Sequence, residues 1–119
     1  MRTRQWAVFT TLAASVLWLV SAAAQDQGAT REFSISGNHY AFSPANITVD
    51  RNDLVKITFT ASDMPHSFTL DDYRIVKRAG AGQAVTFEFR ADRSGQFPYY
   101  CNLTADEKCK GMKGTLTVR

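Results

Sequence analysis

The sequence has 119 residues, with 14 Lys and Arg against 11 Asp and Glu and a formal net charge of +3. Arg2 and Arg4 belong to a predicted leader, so the mature chain would carry 12 basic against 11 acidic residues. This near balance gives no reason to expect nucleic acid or an acidic membrane surface as a partner. The roughly 95 residues that remain are enough for one domain and too few for two.

Residues 1–24 have the features of a secretory signal peptide. They begin with a basic segment, continue with an almost wholly apolar run over 6–20, and end in the small-x-small pattern that signal peptidases cut. The apolar run has about 15 residues, short of the roughly 20 that a membrane-spanning helix needs. We therefore predict cleavage before Gln25, export to the periplasm or a similar compartment, and no membrane span in the mature protein. An uncleaved anchor is the alternative.

The apolar residues of the mature chain alternate with polar ones instead of recurring at helical spacing, which is the pattern of half-buried strands. Seven segments follow it in chain order: Phe33/Ile35, Ile47/Val49, Val55/Ile57/Phe59, Phe68/Leu70, Val85/Phe87/Phe89, Phe97/Tyr99/Cys101 and Leu116/Val118. Groups rich in Gly, Pro, Asn and Asp separate them, and no long helix is indicated. The pattern predicts an antiparallel β-sandwich of about seven strands in a single domain over residues 25–119.

The mature chain has six side chains of the kinds that bind soft metals, namely His39, Met64, His66, Cys101, Cys109 and Met112. His66 stands at the start of one predicted strand, Cys101 ends another, and Met112 immediately precedes the last one. A sandwich can place a mid-chain residue and a closely spaced loop at the same end, so that the fold positions the ligands before the metal arrives. The arrangement indicates a metal site at one end of the domain.

Four short motifs, in order along nearly all of the mature chain, carry a resemblance to a known family. They are Phe42-Ser43-Pro44 before Ile47-Thr48-Val49, Pro65-His66-Ser67-Phe68, Gly95-Gln96-Phe97-Pro98-Tyr99-Tyr100-Cys101 and Gly111-Met112-Lys113-Gly114-Thr115-Leu116-Thr117-Val118. Together they resemble the cupredoxins, in particular the bacterial single-domain periplasmic group. The resemblance implies a Greek-key β-sandwich, copper as the bound metal, and electron transfer as the usual role.

The resemblance also implies a ligand set, which this sequence matches only in part. Family members with blue copper use a His, then Cys, His and a weak axial Met. His66, Cys101 and Met112 stand at three of these positions, and Cys109 stands where the second His is expected. We therefore predict His66, Cys101, Cys109 and Met112 as copper ligands, a soft set that suits Cu(I) better than Cu(II). His39 and Met64 are secondary candidates.

The cysteine pair leaves other interpretations open. An exported protein with two cysteines usually has them oxidised, so a disulfide that closes a loop of about nine residues is the plain alternative. The domain would then be a metal-free, stapled sandwich that serves in protein–protein contacts. Both states are compatible if the reduced pair binds Cu(I) and the oxidised pair forms the disulfide. A binuclear purple-copper centre fits poorly, because its Cys-x3-Cys spacing and following His are missing.

The expected function is therefore copper binding, in electron transfer or in Cu(I) handling. The missing histidine shifts the expectation toward Cu(I) handling, since a second thiolate makes the site softer. The expected partners are the copper ion and a periplasmic redox or copper-trafficking protein. No nucleophile–base pair, paired carboxylates or phosphate-binding loop supports an enzyme.

Overall fold

A computed structural model describes residues 28–119, so the predicted signal peptide and Gln25 lie outside the described residues. Nine strands lie in the described part: β1 Thr30–Asn38, β2 Ala41–Ser43, β3 Asn46–Val49, β4 Leu54–Ala61, β5 His66–Leu70, β6 Ile75–Ala79, β7 Ala84–Arg90, β8 Gly95–Tyr100 and β9 Lys113–Val118. They form a sheet of order β2-β1-β4-β7 and a sheet of order β3-β9-β8-β5-β6. Two 3-10 helices follow β5 and β8, at Asp71–Tyr73 and Glu107–Gly111.

The alternation in the sequence builds the core between the two sheets. Along β4 every second residue is buried, and Val55, Ile57 and Phe59 are completely inaccessible to solvent. A strand whose successive side chains point to opposite faces buries one face in this way and leaves the other partly wet. The predicted all-β sandwich is confirmed. Within residues 28–119, no helix has the length and apolar character needed to cross a membrane.

Two details of the predicted sandwich are wrong. There are nine strands instead of about seven, because β2 and β6 do not show a clear alternation. β2 has three residues with only Phe42 buried, and β6 buries only its first and last residues, Ile75 and Ala79. The sandwich is also not purely antiparallel, since β1 pairs with β4 and β3 pairs with β9 in parallel. These parallel pairs arise because the chain crosses between the sheets, which local patterning does not reveal.

Tyr99 on β8 anchors the core to the connection between β2 and β3. Its ring stacks on Phe68 with the centroids 4.5 Å apart, and its hydroxyl donates a hydrogen bond of 2.5 Å to the carbonyl oxygen of Ala45. Burial raises the pKa of the Tyr99 hydroxyl, so the group stays a donor at any ordinary pH. Gly114 on β9 lies directly opposite Tyr99 in the antiparallel register. The absence of a side chain there gives the Tyr99 ring its space.

Substitution of Gly114 by Ala should destabilise the domain. The added Cβ would overlap both the Tyr99 ring and the Ala45 carbonyl oxygen. Because one of these neighbours is backbone, we expect the free energy of unfolding to fall by about 1–3 kcal/mol, as for other overpacked cores. Urea unfolding, monitored by far-UV circular dichroism, measures the change. Gly111→Ala is the matched control, since its Cβ would meet nothing within 4 Å, and equal stability of the two variants would contradict the prediction.

Candidate metal centre

His66 is the first residue of β5 and is almost completely buried, with 1% of its surface exposed. Its Nε2 lies 2.7 Å from Oδ1 of Asp63, three residues earlier. The hydrogen bond from His66 lowers the pKa of Asp63 from 3.8 to about 2, with burial acting in the opposite direction. An ionised carboxylate only accepts hydrogen bonds, so Nε2 carries the proton. Asp63 therefore fixes both the orientation and the tautomer of the imidazole.

The other ring nitrogen, Nδ1 of His66, has the features of a ligand atom. It is buried and has no hydrogen-bond partner among the described residues. In the neutral ring, with the proton on Nε2, this nitrogen carries a lone pair. Histidines that bind metals usually have this arrangement: one ring N–H donates to a carboxylate or a similar acceptor, and the other ring nitrogen binds the metal.

Met112 and His66 come together at Gly37 on β1. A Cβ built on Gly37 would lie 2.9 Å from the Met112 methyl carbon and 3.1 Å from the His66 Cδ2. Phe59 contacts the same position, with its Cζ also 3.1 Å from the Cβ built on Gly37. Met112 is fully buried. The Met112 thioether and the His66 imidazole therefore lie at the same packed end of the sandwich, next to Gly37, which has no side chain.

Cys101 and Cys109 are bonded to each other in a disulfide, with their Cα atoms 5.1 Å apart. Both residues are buried, with 0% and 1% of their surface exposed. Each sulfur also accepts a backbone hydrogen bond, Cys101 from the Ser67 N–H at 3.4 Å and Cys109 from the Leu103 N–H at 3.2 Å. The sequence was compatible with a disulfide or with two thiolate ligands, and the disulfide is present in the structure. The ligand roles of the two cysteines stay a prediction, and they apply to the reduced form.

The loop between β8 and β9 is closed at its base by backbone contacts as well. The N–H of Cys101 donates to the Met112 carbonyl at 3.2 Å, and the N–H of Met112 donates to the Cys109 carbonyl at 3.0 Å. The 3-10 helix in this loop starts after Asp106, whose side chain accepts from the Lys108 N–H. These backbone bonds hold both cysteines next to Met112 in addition to the disulfide.

The donor set fits copper in one oxidation state of the cysteines only. Within residues 28–119 no group of three or more His, Cys, Asp or Glu side chains is arranged to hold a metal ion. The disulfide leaves Nδ1 of His66 and the Met112 sulfur as donors, which is a weak pair. Reduction would add two thiolates, each with a backbone N–H already directed at it. The dithiol form therefore fits a soft ion such as Cu(I), and the disulfide form does not.

The secondary candidates contribute backbone atoms to the site. His39 is exposed, and its backbone N–H donates to Oδ2 of Asp63 at 3.1 Å. Met64 donates its N–H to the other oxygen of the same carboxylate at 2.9 Å. The sequence prediction missed Asp63 and Tyr40, whose ring meets the His66 ring edge-on at 5.9 Å. A carboxylate three residues before a candidate ligand was the available signal for Asp63.

Comparison with known proteins agrees with this architecture. The sequence profile of the cupredoxin-like domain family matches residues 11–118. The chain belongs to this family. None of the curated proteins compared with the chain matches it in sequence.

Solved structures of copper proteins share the cupredoxin-like fold at low sequence identity. Auracyanin A, a blue copper protein from Chloroflexus aurantiacus, has a TM-score of 0.64 and 18% identity, over 76% of this chain and 99% of that one. The metal-binding domain of the Cu(I)-exporting ATPase CopA of Streptococcus pneumoniae D39, solved with Cu(I), has the same TM-score and identity, over 76% and 86%. A heme-copper terminal oxidase gives a TM-score of 0.66 at 15% identity, with 65% of its chain covered. These likenesses establish the fold alone.

Reduction of the disulfide should lower the stability of the domain. The bond closes a loop of about nine residues, and the loss of loop-closure entropy in the unfolded chain predicts a contribution of about 2–3 kcal/mol. Urea unfolding with and without tris(carboxyethyl)phosphine measures it as a shift of the midpoint. The double variant Cys101→Ala/Cys109→Ala is the control, because its midpoint should not respond to the reductant. A wild-type midpoint that is equally insensitive would contradict the expectation.

Proposed function

We propose that this protein is an exported copper-binding member of the cupredoxin-like family that handles Cu(I) when its cysteines are reduced. The observation that carries the proposal is Nδ1 of His66, which is buried, unpaired among the described residues, and oriented by the Nε2 bond to Asp63. A histidine that served only in packing would be expected to satisfy both ring nitrogens. Residues 1–24 would direct export and be removed.

In the reduced protein, Nδ1 of His66, the two thiolates and the Met112 sulfur would bind the ion. Copper at this site is cargo and supplies a soft cation that thiolates and a thioether prefer to hard oxygen ligands. The backbone N–H groups of Ser67 and Leu103 would stabilise the two thiolates, since hydrogen bonds to a charged form favour that form. The surrounding apolar core would keep water away from the ion.

Electron transfer is the other copper-related role, and the neighbours illustrate both. Auracyanin A is a blue copper protein, while the CopA domain was solved with Cu(I). We favour Cu(I) handling because Cys109 replaces the second imidazole of the usual His₂Cys set. Two thiolates and a thioether are softer than the set that cycles readily between Cu(I) and Cu(II). A copper donor or acceptor protein is the corresponding partner.

A metal-free role in protein–protein contacts is the second candidate, and the disulfide favours it. The bond removes both predicted thiolate ligands in the oxidised protein. In an oxidising compartment this form would dominate unless a reductant acts on it. The two candidates therefore differ in what the reduced protein does.

Copper titration of the reduced protein separates them. Under anaerobic conditions, Cu(I) is added in competition with bicinchoninate to the reduced protein, to the disulfide form, and to Cys101→Ser and Cys109→Ser. We expect one equivalent bound by the reduced wild type only. Equal retention by both cysteine variants would rule out the proposed site. A visible thiolate-to-Cu(II) charge-transfer band, when one equivalent of a copper(II) salt is added to the reduced metal-free protein, would favour electron transfer instead.

The two histidines provide a matched comparison in the same titration. His66→Ala should weaken Cu(I) binding strongly, because it removes the imidazole ligand. His39→Asn should leave it unchanged, since the His39 ring is exposed and Asn tolerates the positive φ of 49° at this position. Weakening by both substitutions to the same extent would mean that the effect is structural.

Asp63→Asn tests the orientation of His66 without removing a ligand. The amide is close in shape to the carboxylate but holds the imidazole N–H less strongly, because it is uncharged. Loss of such a partner behind a metal ligand typically costs about 10–100-fold in affinity. We expect a loss in that range by bicinchoninate competition, with the unfolding midpoint of the disulfide form recorded alongside. Unchanged affinity would show that Asp63 does not prepare a ligand.

A further inference from the structure

The turn between β1 and β2 places an aromatic side chain over the candidate metal centre. It consists of His39 and Tyr40, with φ angles of 49° and 58°, between the paired residues Asn38 and Ala41. Two-residue hairpin turns of this kind favour Gly, Asn or Asp, because both central residues have positive φ. A bulky Tyr is unfavourable there. The contacts of its side chain therefore offset a backbone penalty.

Tyr40 contacts both sides of the site. Its hydroxyl donates a hydrogen bond of 2.7 Å to Oδ2 of Asp106, in the loop between β8 and β9. Its ring meets the His66 ring edge-on, and the Nζ of Lys108 lies 5.6 Å from its centroid. The Tyr40 side chain thus connects the β1–β2 turn to the predicted ligand His66 and to the loop that carries Cys109.

Leu103 and Cys109 of that loop pack against the core, but the loop has few hydrogen bonds to other elements. Among the hydrogen bonds of the described residues, the one between Tyr40 and Asp106 is the only one that ties residues 103–110 to an element outside the loop and its base. The remaining bonds are internal, such as the one from the Lys108 N–H to Oδ1 of Asp106. The Asp106 carboxylate therefore both caps the 3-10 helix and links the loop to the β1–β2 turn.

We propose that Tyr40 is a positioning residue that latches this loop closed and limits the access of external thiols to the disulfide. Both sulfurs are buried, at Cys101 and Cys109. Thiol–disulfide exchange requires a thiolate to reach a sulfur atom, so the loop must open first. Breaking the Tyr40–Asp106 bond is part of that opening. The proposal depends on the disulfide and not on copper, so it stands or falls independently of the proposed function.

The exchange itself is a two-electron reduction with a dithiol as the reductant. One thiolate of dithiothreitol attacks a disulfide sulfur, forms a mixed disulfide and releases the other cysteine as a thiolate. The second thiol of the reagent then displaces the protein sulfur and closes the reagent into its cyclic disulfide. Both electrons end on Cys101 and Cys109. The hydrogen bond between Tyr40 and Asp106 acts before the first attack, because it lowers the fraction of molecules in which the loop is open.

The test is the rate of this reduction in native buffer, followed by alkylation of the new thiols and mass spectrometry. Tyr40→Phe removes only the hydroxyl and keeps the ring against His66. We expect reduction about tenfold faster, since one hydrogen bond to a carboxylate is worth roughly that factor in the opening equilibrium. Asp106→Ala removes the same bond from the other side and should accelerate reduction by at least as much. Asp106→Asn keeps an acceptor but removes its charge, so it should accelerate reduction less than Asp106→Ala does.

Tyr100→Phe is the matched control. The Tyr100 hydroxyl also donates to a carboxylate, at 2.8 Å from Oδ2 of Asp71, but this bond does not involve the loop. Its loss should leave the reduction rate unchanged. Wild-type rates in Tyr40→Phe and Asp106→Ala would overturn the proposal. Equal acceleration in Tyr100→Phe would overturn it as well, because the effect would then follow general stability and not the latch.

Discussion

The hydrogen bond between Nε2 of His66 and the Asp63 carboxylate determines the chemistry available at this end of the sandwich. The carboxylate also accepts the backbone N–H groups of His39 and Met64, so it ties the β1–β2 turn to the start of β5. These donors keep it ionised, with a pKa of about 2. An ionised carboxylate only accepts, so in the neutral ring it selects the tautomer that has its proton on Nε2. The free Nδ1 is therefore a consequence of the fold, present before any ligand binds.

In the site that we propose, the disulfide is the oxidised state, and Nδ1 of His66 is a donor in both states. Nδ1 of His66 and the Met112 sulfur do not change with the redox state of the cysteines, while the thiolates exist only after reduction. Backbone N–H groups already contact both sulfurs in the oxidised form. Since the loop base is closed by backbone bonds around Met112, breaking the S–S bond need not scatter the donors.

Periodicity in the sequence was sufficient to predict the sandwich but not its details. The strong alternation of β4 and β9 identified buried strands. β2 was missed because it has only three residues, and β6 was missed because only its first and last residues are buried, so neither shows a clear period. Candidate ligands were found by residue type and position. Asp63 and Tyr40 were not, because their roles come from tertiary contacts with His66 and Asp106. No local pattern specifies that a turn residue will meet a loop 66 positions away.

In the proposed site, Cys109 in place of the expected imidazole would change the charge of the centre as well as its softness. A neutral ligand becomes an anion, and a buried negative charge needs compensation from hydrogen bonds or nearby cations. The loop provides one such hydrogen bond. Leu103 donates its N–H to the Cys109 sulfur, and the exposed residues on either side of Cys109 in the sequence are Lys108 and Lys110. Because a hydrogen bond to a charged form favours that form, the Leu103 N–H would stabilise a Cys109 thiolate more than it stabilises the disulfide sulfur.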